Sequence, residues 1–304
     1  MGNPLAQGPH ERHGHPASGP PVTEELDELE GWAWTLFALI GVVSAIFGSI
    51  VGLGGGIVIV PSLVLIAPAM LGEAVSTQTA VGTSLAVLIL TAFTATWTYK
   101  KQGKVDFKTG WLLFATSGPA AMAGAAATND VPKGPFQLSF GLFMFVMFVL
   151  MIARERMKPL SRDWPVRRTF ADADGNEYEY GYSIGLALAI GAGVGVSSGL
   201  FGIGGGSLFV PLMVLLFGFP PHVATATSMF VILLSSVTGS AVHAANGNID
   251  WLLFAALAPG AIVGGKLGAA IAARMTGKQL MWLLRATLLA VAVYLIIKGS
   301  GEMG

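Results

Sequence analysis

Cysteine is absent and charge is scarce. Without a thiol, disulfides, thiolate metal sites and cysteine nucleophiles are excluded. Asp, Glu, Lys and Arg make up 11% of the 304 residues, against about 25% in ordinary soluble domains. The formal net charge is zero, so overall charge points to no partner, and no nucleic acid is expected. The phosphate-cradling pattern Gly-x-x-x-x-Gly-Lys-Ser/Thr is also missing. The chain is therefore not itself an ATPase, and no cofactor is expected.

What is present in excess is apolar. Hydrophobic residues make up 53% of the chain and mean hydropathy is +0.68. Apolar runs long enough to cross a bilayer recur from Trp32 to Ile297. They are continuous rather than alternating, which excludes a transmembrane barrel and leaves an all-α polytopic membrane protein in a lipid bilayer.

Residues 1–31 are rich in Pro, Gly and His, then turn acidic at Glu24, Glu25, Asp27, Glu28 and Glu30. No apolar core follows a basic start, so this is not read as a signal peptide. His10, His13 and His15 read as incidental histidines of a disordered tail, not a metal site. Helical segments are expected at 32–51, 57–71, 78–99, 110–127 and 135–153, then at 183–201, 207–219, 223–244, 251–273 and 280–298. Residues 32–153 form a first transmembrane repeat, 154–182 a polar loop, 183–298 a second repeat and 299–304 a short tail. Within the loop, Asp172-Ala173-Asp174-Gly175-Asn176 lacks the glycine position and terminal Glu of a calcium loop and reads as a turn.

The repeats rest on matched motifs. Gly52-Leu53-Gly54-Gly55-Gly56 runs on to Pro61, and Gly202-Ile203-Gly204-Gly205-Gly206 runs on to Pro211. Ala80-Val81-Gly82-Thr83-Ser84 corresponds to Ala224-Thr225-Ala226-Thr227-Ser228. Asp106 corresponds to Asp250, and Pro119 with Gly124 to Pro259 with Gly264. A glycine cluster inside an apolar segment breaks the helix and bares backbone groups. Lipid tolerates that only where the backbone faces protein or a watery cavity. Two such breaks at matching points of two halves point to a transport site.

Basic residues orient the halves. Lys100, Lys101, Lys104 and Lys108 follow the third segment. Arg154, Arg156, Lys158, Arg162, Arg167 and Arg168 follow the fifth, and Arg274 and Lys278 follow the ninth. These loops are expected in the cytoplasm. The stretch from His243 to Asp250, equivalent to the Lys100 loop, has no Lys or Arg and is expected outside, with the acidic amino-terminal tail and Glu73. Lys133 runs against the pattern. Equivalent loops then lie on opposite sides, so the repeats are inverted in topology, about five helical segments each, with glycine-broken helices at the centre. Whether the broken segments span fully or re-enter is open at this level.

A helix ending in Gly-x-Gly-Gly-Gly with a proline a few residues later, once in each half, resembles the TauE/SafE family of sulfite exporters and related anion permeases. The second copy, Ser198 through Gly206 and Pro211, followed by Ala224-Thr225-Ala226-Thr227-Ser228 and by Pro259-Gly260-Ala261 with Gly264 and Gly268, carries it most fully. The resemblance covers about residues 35–298. It implies export of a small sulfur-containing anion, sulfite or an organosulfonate, across a bacterial inner membrane.

An anion leaving water needs replacement hydrogen bonds, because unmet ones cost several kcal/mol each. Three sets of residues are candidates. Gly52, Gly54, Gly55, Gly56, Gly202, Gly204, Gly205 and Gly206, with Ser207, offer backbone N–H groups at a helix start. The alternative role of such glycines is close helix packing. Thr83, Ser84, Thr227 and Ser228 offer hydroxyls, whose other role is bonding a carbonyl one turn back. Lys266 is a cation inside the ninth segment, where it attracts an anion or snorkels; the family resemblance does not rest on it. His243 reads as an interfacial histidine, and Asp106 and Asp250 as helix N-caps.

The leading expectation is a secondary anion exporter working by alternating access. An importer of a sulfur compound such as thiosulfate, and a non-catalytic membrane scaffold, are the alternatives; a homo-oligomer is left open. Gly195-Val196-Ser197-Ser198-Gly199 matches the Gly-x-Ser-x-Gly pattern of hydrolases, but in an apolar span and without the strand–turn–helix that pattern needs. No enzyme is expected.

Overall fold

The computed structural model describes residues 31–71, 75–128, 133–156, 164–173, 175–204 and 206–301. The first half contains α1 (Gly31–Val51), α2 (Gly56–Leu65), α3 (Ala67–Leu71), α4 (Thr77–Lys101), α5 (Phe107–Ala127) and α6 (Lys133–Arg156). An antiparallel hairpin, β1 (Val166–Ala171) and β2 (Glu177–Tyr182), joins it to the second half. That half contains α7 (Ile184–Phe201), α8 (Gly206–Leu212) running into a π-turn at Met213–Phe217, α9 (Pro221–Ala245), α10 (Trp251–Arg274) and α11 (Gly277–Gly301). Six of these helices, α1, α4, α7, α9, α10 and α11, are long and apolar enough to cross a membrane. The chain is an all-α polytopic membrane protein.

Local chemistry sets the helix ends. Ser76 caps α4 by accepting from the Thr79 N–H at 3.0 Å, and Asp250 caps α10 by accepting from the Leu253 N–H at 2.9 Å. Pro221 opens α9 at a position where its missing N–H costs nothing. The segment expected at 57–71 is two pieces. Pro68 has no N–H to offer the preceding turn, and α2 stops at Leu65. With 10 residues, α2 reaches about 15 Å, half of a bilayer core. The 7-residue α8 and its π-turn, ended by Gly218 at φ +75°, are also too short to cross alone.

Glycine sets the helix spacing. A Cβ at Gly260, Gly264 or Gly268 of α10 would fall 2.0–2.4 Å from the carbonyl oxygens of Ala38, Val42 and Ile46 on α1. At Gly191, Gly195 and Gly199 of α7 it would fall 2.0–2.6 Å from those of Leu113, Ser117 and Ala121 on α5. Both pairs therefore run parallel in near-backbone contact. These are equivalent pairs, first helix against fourth, each formed between halves. The third helices, α4 and α9, pack against each other at the centre and run antiparallel. Gly82 faces His243, and Leu85, further along α4, faces Gly239, earlier on α9. The outer pair α6 and α11 is antiparallel too, with Gly141 against Ile296 and Gly299 against Leu138.

The hairpin docks on the helices through a buried carboxylate. Asp106, only 2% exposed, caps α5 and accepts from Arg168 Nη2 at 3.0 Å and from the Tyr180 hydroxyl at 2.6 Å. Burial and the Asp106 hydrogen bond push the Tyr180 phenol well above its ordinary pKa. Burial opposes the Arg168 charge, but Asp106 and Tyr180 outweigh it and raise its pKa. Tyr180 also packs on Phe219, ring centres 3.8 Å apart, and Tyr182 and Trp164 on Phe217 of the π-turn. At the hairpin tip, Asp172 accepts from the Asn176 N–H at 2.9 Å in a closed turn.

Candidate functional site

The two glycine breaks meet at the centre of the molecule. Gly52, Gly54 and Gly55 have φ of +77°, +80° and +94°, and Gly202 and Gly204 have +67° and +68°. An L side chain is strained at all of them. The first loop folds back on its own helix: the Leu53 and Gly54 N–H groups both donate to Gly48 O, at 2.8 and 3.2 Å. The tips then converge on the same two side chains. A Cβ at Gly54 would lie 3.1 Å from Leu88 and 3.3 Å from Ile232; one at Gly204 would lie 2.5 and 2.8 Å from them. Leu88 and Ile232 are equivalent in the register set by Thr83 and Thr227, so one residue from each half closes the crossing. Gly56 packs on the Gly202 carbonyl, where a Cβ would sit 2.3 Å away. Gly205 lies outside the described residues.

The four matched hydroxyls are fully buried, or nearly so, and engaged across the halves. Ser84 of the first half donates to Gly202 O of the second at 2.8 Å, and Ser228 of the second shares its proton between Thr225 O, one turn back at 2.8 Å, and Gly52 O of the first half at 3.1 Å. Thr83 accepts from the Asp250 N–H at 2.9 Å, and Thr227 from the Asp106 N–H at 3.0 Å. Each half thus supplies the partners for the other half's broken backbone. The Ser84 and Ser228 protons are committed to backbone carbonyls, and Thr83 and Thr227 serve as acceptors for the starts of α10 and α5, so all four hold the loops and helix ends of the other half.

Other hydroxyls do lack partners. Thr96 and Ser240, equivalent in the repeat, and Ser49, Ser198 and Ser236 are buried with no hydrogen-bond partner among the described residues. Ser236 and Ser240 are one turn apart on α9, and the Ser236 hydroxyl is 3.6 Å from a Cβ built on Gly204. Orphaned polar atoms in an apolar core mark places where water or a polar ligand belongs. The signal in the sequence was a run of hydroxyls in the apolar α9, with counterparts in α4 at Thr91, Thr94 and Thr96 for Ser235, Thr238 and Ser240, whereas sequence reasoning favoured only Thr83, Ser84, Thr227 and Ser228.

A cavity of about 410 Å³ reaches the crossing from one side. Gly56, Ile57 and Ile203 of the glycine loops form part of its wall, and Gln137 of α6 with Tyr294 and Lys298 of α11 form another part. Within α2, the Val58 and Ile59 N–H groups bond to Gly55 O, which leaves the Gly56 and Ile57 N–H groups without an intrahelical acceptor. The Tyr294 hydroxyl and Gln137 Oε1 are buried without partners among the described residues, and the Lys298 ammonium sits 5.9 Å from the Tyr294 ring centre. Sequence reasoning missed these three because they lie outside the motifs that it matched between the halves. Lys266 is elsewhere. It is exposed on the outer face of α10, in a groove with Trp97 and Lys101, away from both loops.

Residues 37–295 match the sequence model of the family described as Sulfite exporter TauE/SafE. The chain belongs to this family. It is 43% identical over 269 residues to the "Probable membrane transporter protein YunE" of Bacillus subtilis (strain 168), covering 88% of this chain and 98% of that one. It is 24% identical over 205 residues to a "Probable membrane transporter protein" of Methanocaldococcus jannaschii, covering 67% and 70%. No solved structure matches. This TauE/SafE protein is thus a multi-pass membrane transporter. As for hydrolysis, its Ser197 hydroxyl donates to Gly193 O at 3.0 Å, while the His243 ring faces Gly199 O at 3.4 Å, so no Ser–His pair forms there.

Proposed function

We propose that this TauE/SafE transporter moves a small sulfur oxyanion, sulfite or an organosulfonate, outward across a bacterial inner membrane by alternating access at the crossed glycine loops. The observation that carries this reading is the crossing itself: two broken helices, one from each half, packed on the same Leu88–Ile232 pair and held by each other's hydroxyls. Such reciprocal contacts let one half rock against the other while both loops keep facing a shared point. The antiparallel run of the equivalent helices α4 and α9 supports an inverted arrangement, since a two-fold relating them lies across the helix axes. The lysine and arginine distribution supports cytoplasmic placement of the hairpin and an outer position for residues 243–250.

The anion would be met by backbone N–H groups at Gly56 and Ile57, with Lys298 at the mouth of the cavity, and by the unpartnered Ser236 and Ser240 hydroxyls on the same half of α9. Neutral donors suit an anion that must leave again, whereas a fixed buried charge would hold it. The test is efflux and counterflow of radiolabelled sulfite in proteoliposomes, with thiosulfate, sulfate and taurine as competitors, for wild type and Ser236→Ala/Ser240→Ala. Removing orphaned hydroxyls leaves stability near unchanged, so a raised KM in that variant reads the site. Saturable flux with this change supports the reading. Flux of only one competitor would replace the substrate, and no flux of any anion from folded protein would overturn anion transport.

A further inference from the structure

The exposed position of Lys266 asks for a partner that the transport site does not supply. This lysine lies eight residues before the end of α10, about 12 Å along the axis. Its side chain faces outward, where a membrane-spanning helix meets lipid. A lone cation at that depth is costly unless it reaches a polar or charged group. Neither Lys266 nor Lys101 has a carboxylate partner among the described residues.

A groove of about 540 Å³ between α4 and α10 surrounds it, lined by Phe93, Trp97, Thr98, Lys101 and Gln102 along with Lys266. Phe93 and Trp97 stack with ring centres 6.3 Å apart and are each more than half exposed. They form an apolar wall on the outside of the helix pair. The Lys100 and Lys101 ammonium groups sit 5.5 and 5.9 Å from the Trp97 ring centre. Tryptophan and lysine gather where hydrocarbon meets headgroups. The groove therefore offers cations at its rim and deep end, an aromatic wall between them, and no acid among its described lining residues.

We propose that this groove is a binding site for the headgroup of an anionic phospholipid. The phosphate sits between Lys101 and Lys266, and the upper acyl chains lie along Phe93 and Trp97. Charge complementarity selects the occupant: a zwitterionic headgroup brings its own cation to a site that already holds two, while a net anion satisfies both. Lipid also reaches the groove laterally, along the face that α4 and α10 expose. Basic pockets between membrane helices on the lysine-rich side recognise anionic headgroups by this logic.

The experiment is native mass spectrometry of the detergent-purified full chain, titrated with phosphatidylglycerol and phosphatidylcholine of matched acyl chains. Wild type should retain phosphatidylglycerol preferentially. Lys101→Met/Lys266→Met should lose roughly 30-fold in that affinity and leave phosphatidylcholine unaffected. Lys101→Arg/Lys266→Arg should keep the preference and controls for folding. Equal retention of the two lipids by wild type, undiminished phosphatidylglycerol binding by the methionine variant, or loss in a folded arginine variant would each overturn the proposal. Displacement of the lipid by inorganic phosphate at matched concentration would also overturn it, because the groove would then be a free-oxyanion site.

Discussion

The two halves share a backbone plan and differ in what is attached to it. In the first half Tyr99 donates from its hydroxyl to Ser49 O at 2.7 Å; at the equivalent point of the second, His243 faces Gly199 O at 3.4 Å. Asp106 is buried under the hairpin and ion-paired, whereas its counterpart Asp250 only caps a helix. The α2 break leads into a second short helix, the α8 break into a π-turn on which the hairpin sits. The shared features are backbone contacts at the crossing, where one half cannot change without the other. The differences lie toward the ends of the helices, where each half is free to specialise.

The largest effect should come from forcing a side chain into the crossing. Gly204→Ala places its Cβ within 2.5 Å of Leu88 at positive φ, while Gly54→Ala meets only contacts of 3.1 Å or more. We expect roughly 2–5 kcal/mol of destabilisation at Gly204 and about 1–2 at Gly54, from backbone strain plus overpacking in the first case and strain plus a small displacement of Leu88 and Ile232 in the second. Unfolding of the purified protein in detergent measures both, and equal losses would show that the loops are not pressed unequally on Leu88.

Next in size is the carboxylate pair. Asp106→Asn breaks the Arg168 bridge and weakens the Tyr180 bond, costing about 2–3 kcal/mol, and Asp250→Asn weakens a cap by well under about 1 kcal/mol. The same unfolding assay, joined to limited proteolysis of the hairpin, compares them; a loosened hairpin in Asp250→Asn instead would reverse the assignment. Smaller still is Tyr99→Phe, which removes one short buried hydrogen bond for about 1 kcal/mol. His243→Leu should be near neutral, since it removes a weak contact together with an unpartnered buried Nδ1. Equal costs at these two sites would mean the His243 contact is as strong as the tyrosine bond.

Much of the architecture was legible in the sequence. The apolar runs, the glycine clusters at matching points and the outward direction of Lys266 from the Gly260-Gly264-Gly268 face all follow from periodicity and from the backbone freedom of glycine. The roles of Thr83, Ser84, Thr227 and Ser228 were not legible. Ser228 does bond a carbonyl one turn back, as local chemistry allows, but the cross-half partners of the four are 118 to 176 residues away, and no local rule distinguishes a hydroxyl turned to a ligand from one turned to a distant backbone group. Asp106 was readable as a cap but not as a docking point, because Arg168 and Tyr180 come to it through the fold of the hairpin. Gln137, Tyr294 and Lys298 lie outside the matched motifs and surface only when α6 and α11 are packed beside α2.

By itself the sequence determined that this chain lives in a membrane, that its glycine motif occurs twice, and that helices break at both copies. Those properties follow from hydrophobicity, repetition and the need of a broken helix for residues without Cβ, all of which act along the chain. Only the tertiary structure decided that the two breaks cross at Leu88 and Ile232, which hydroxyls are used up in holding them and which remain free. A hydrogen bond is a relation between two groups in space, and in this protein the decisive ones join halves that the sequence keeps far apart.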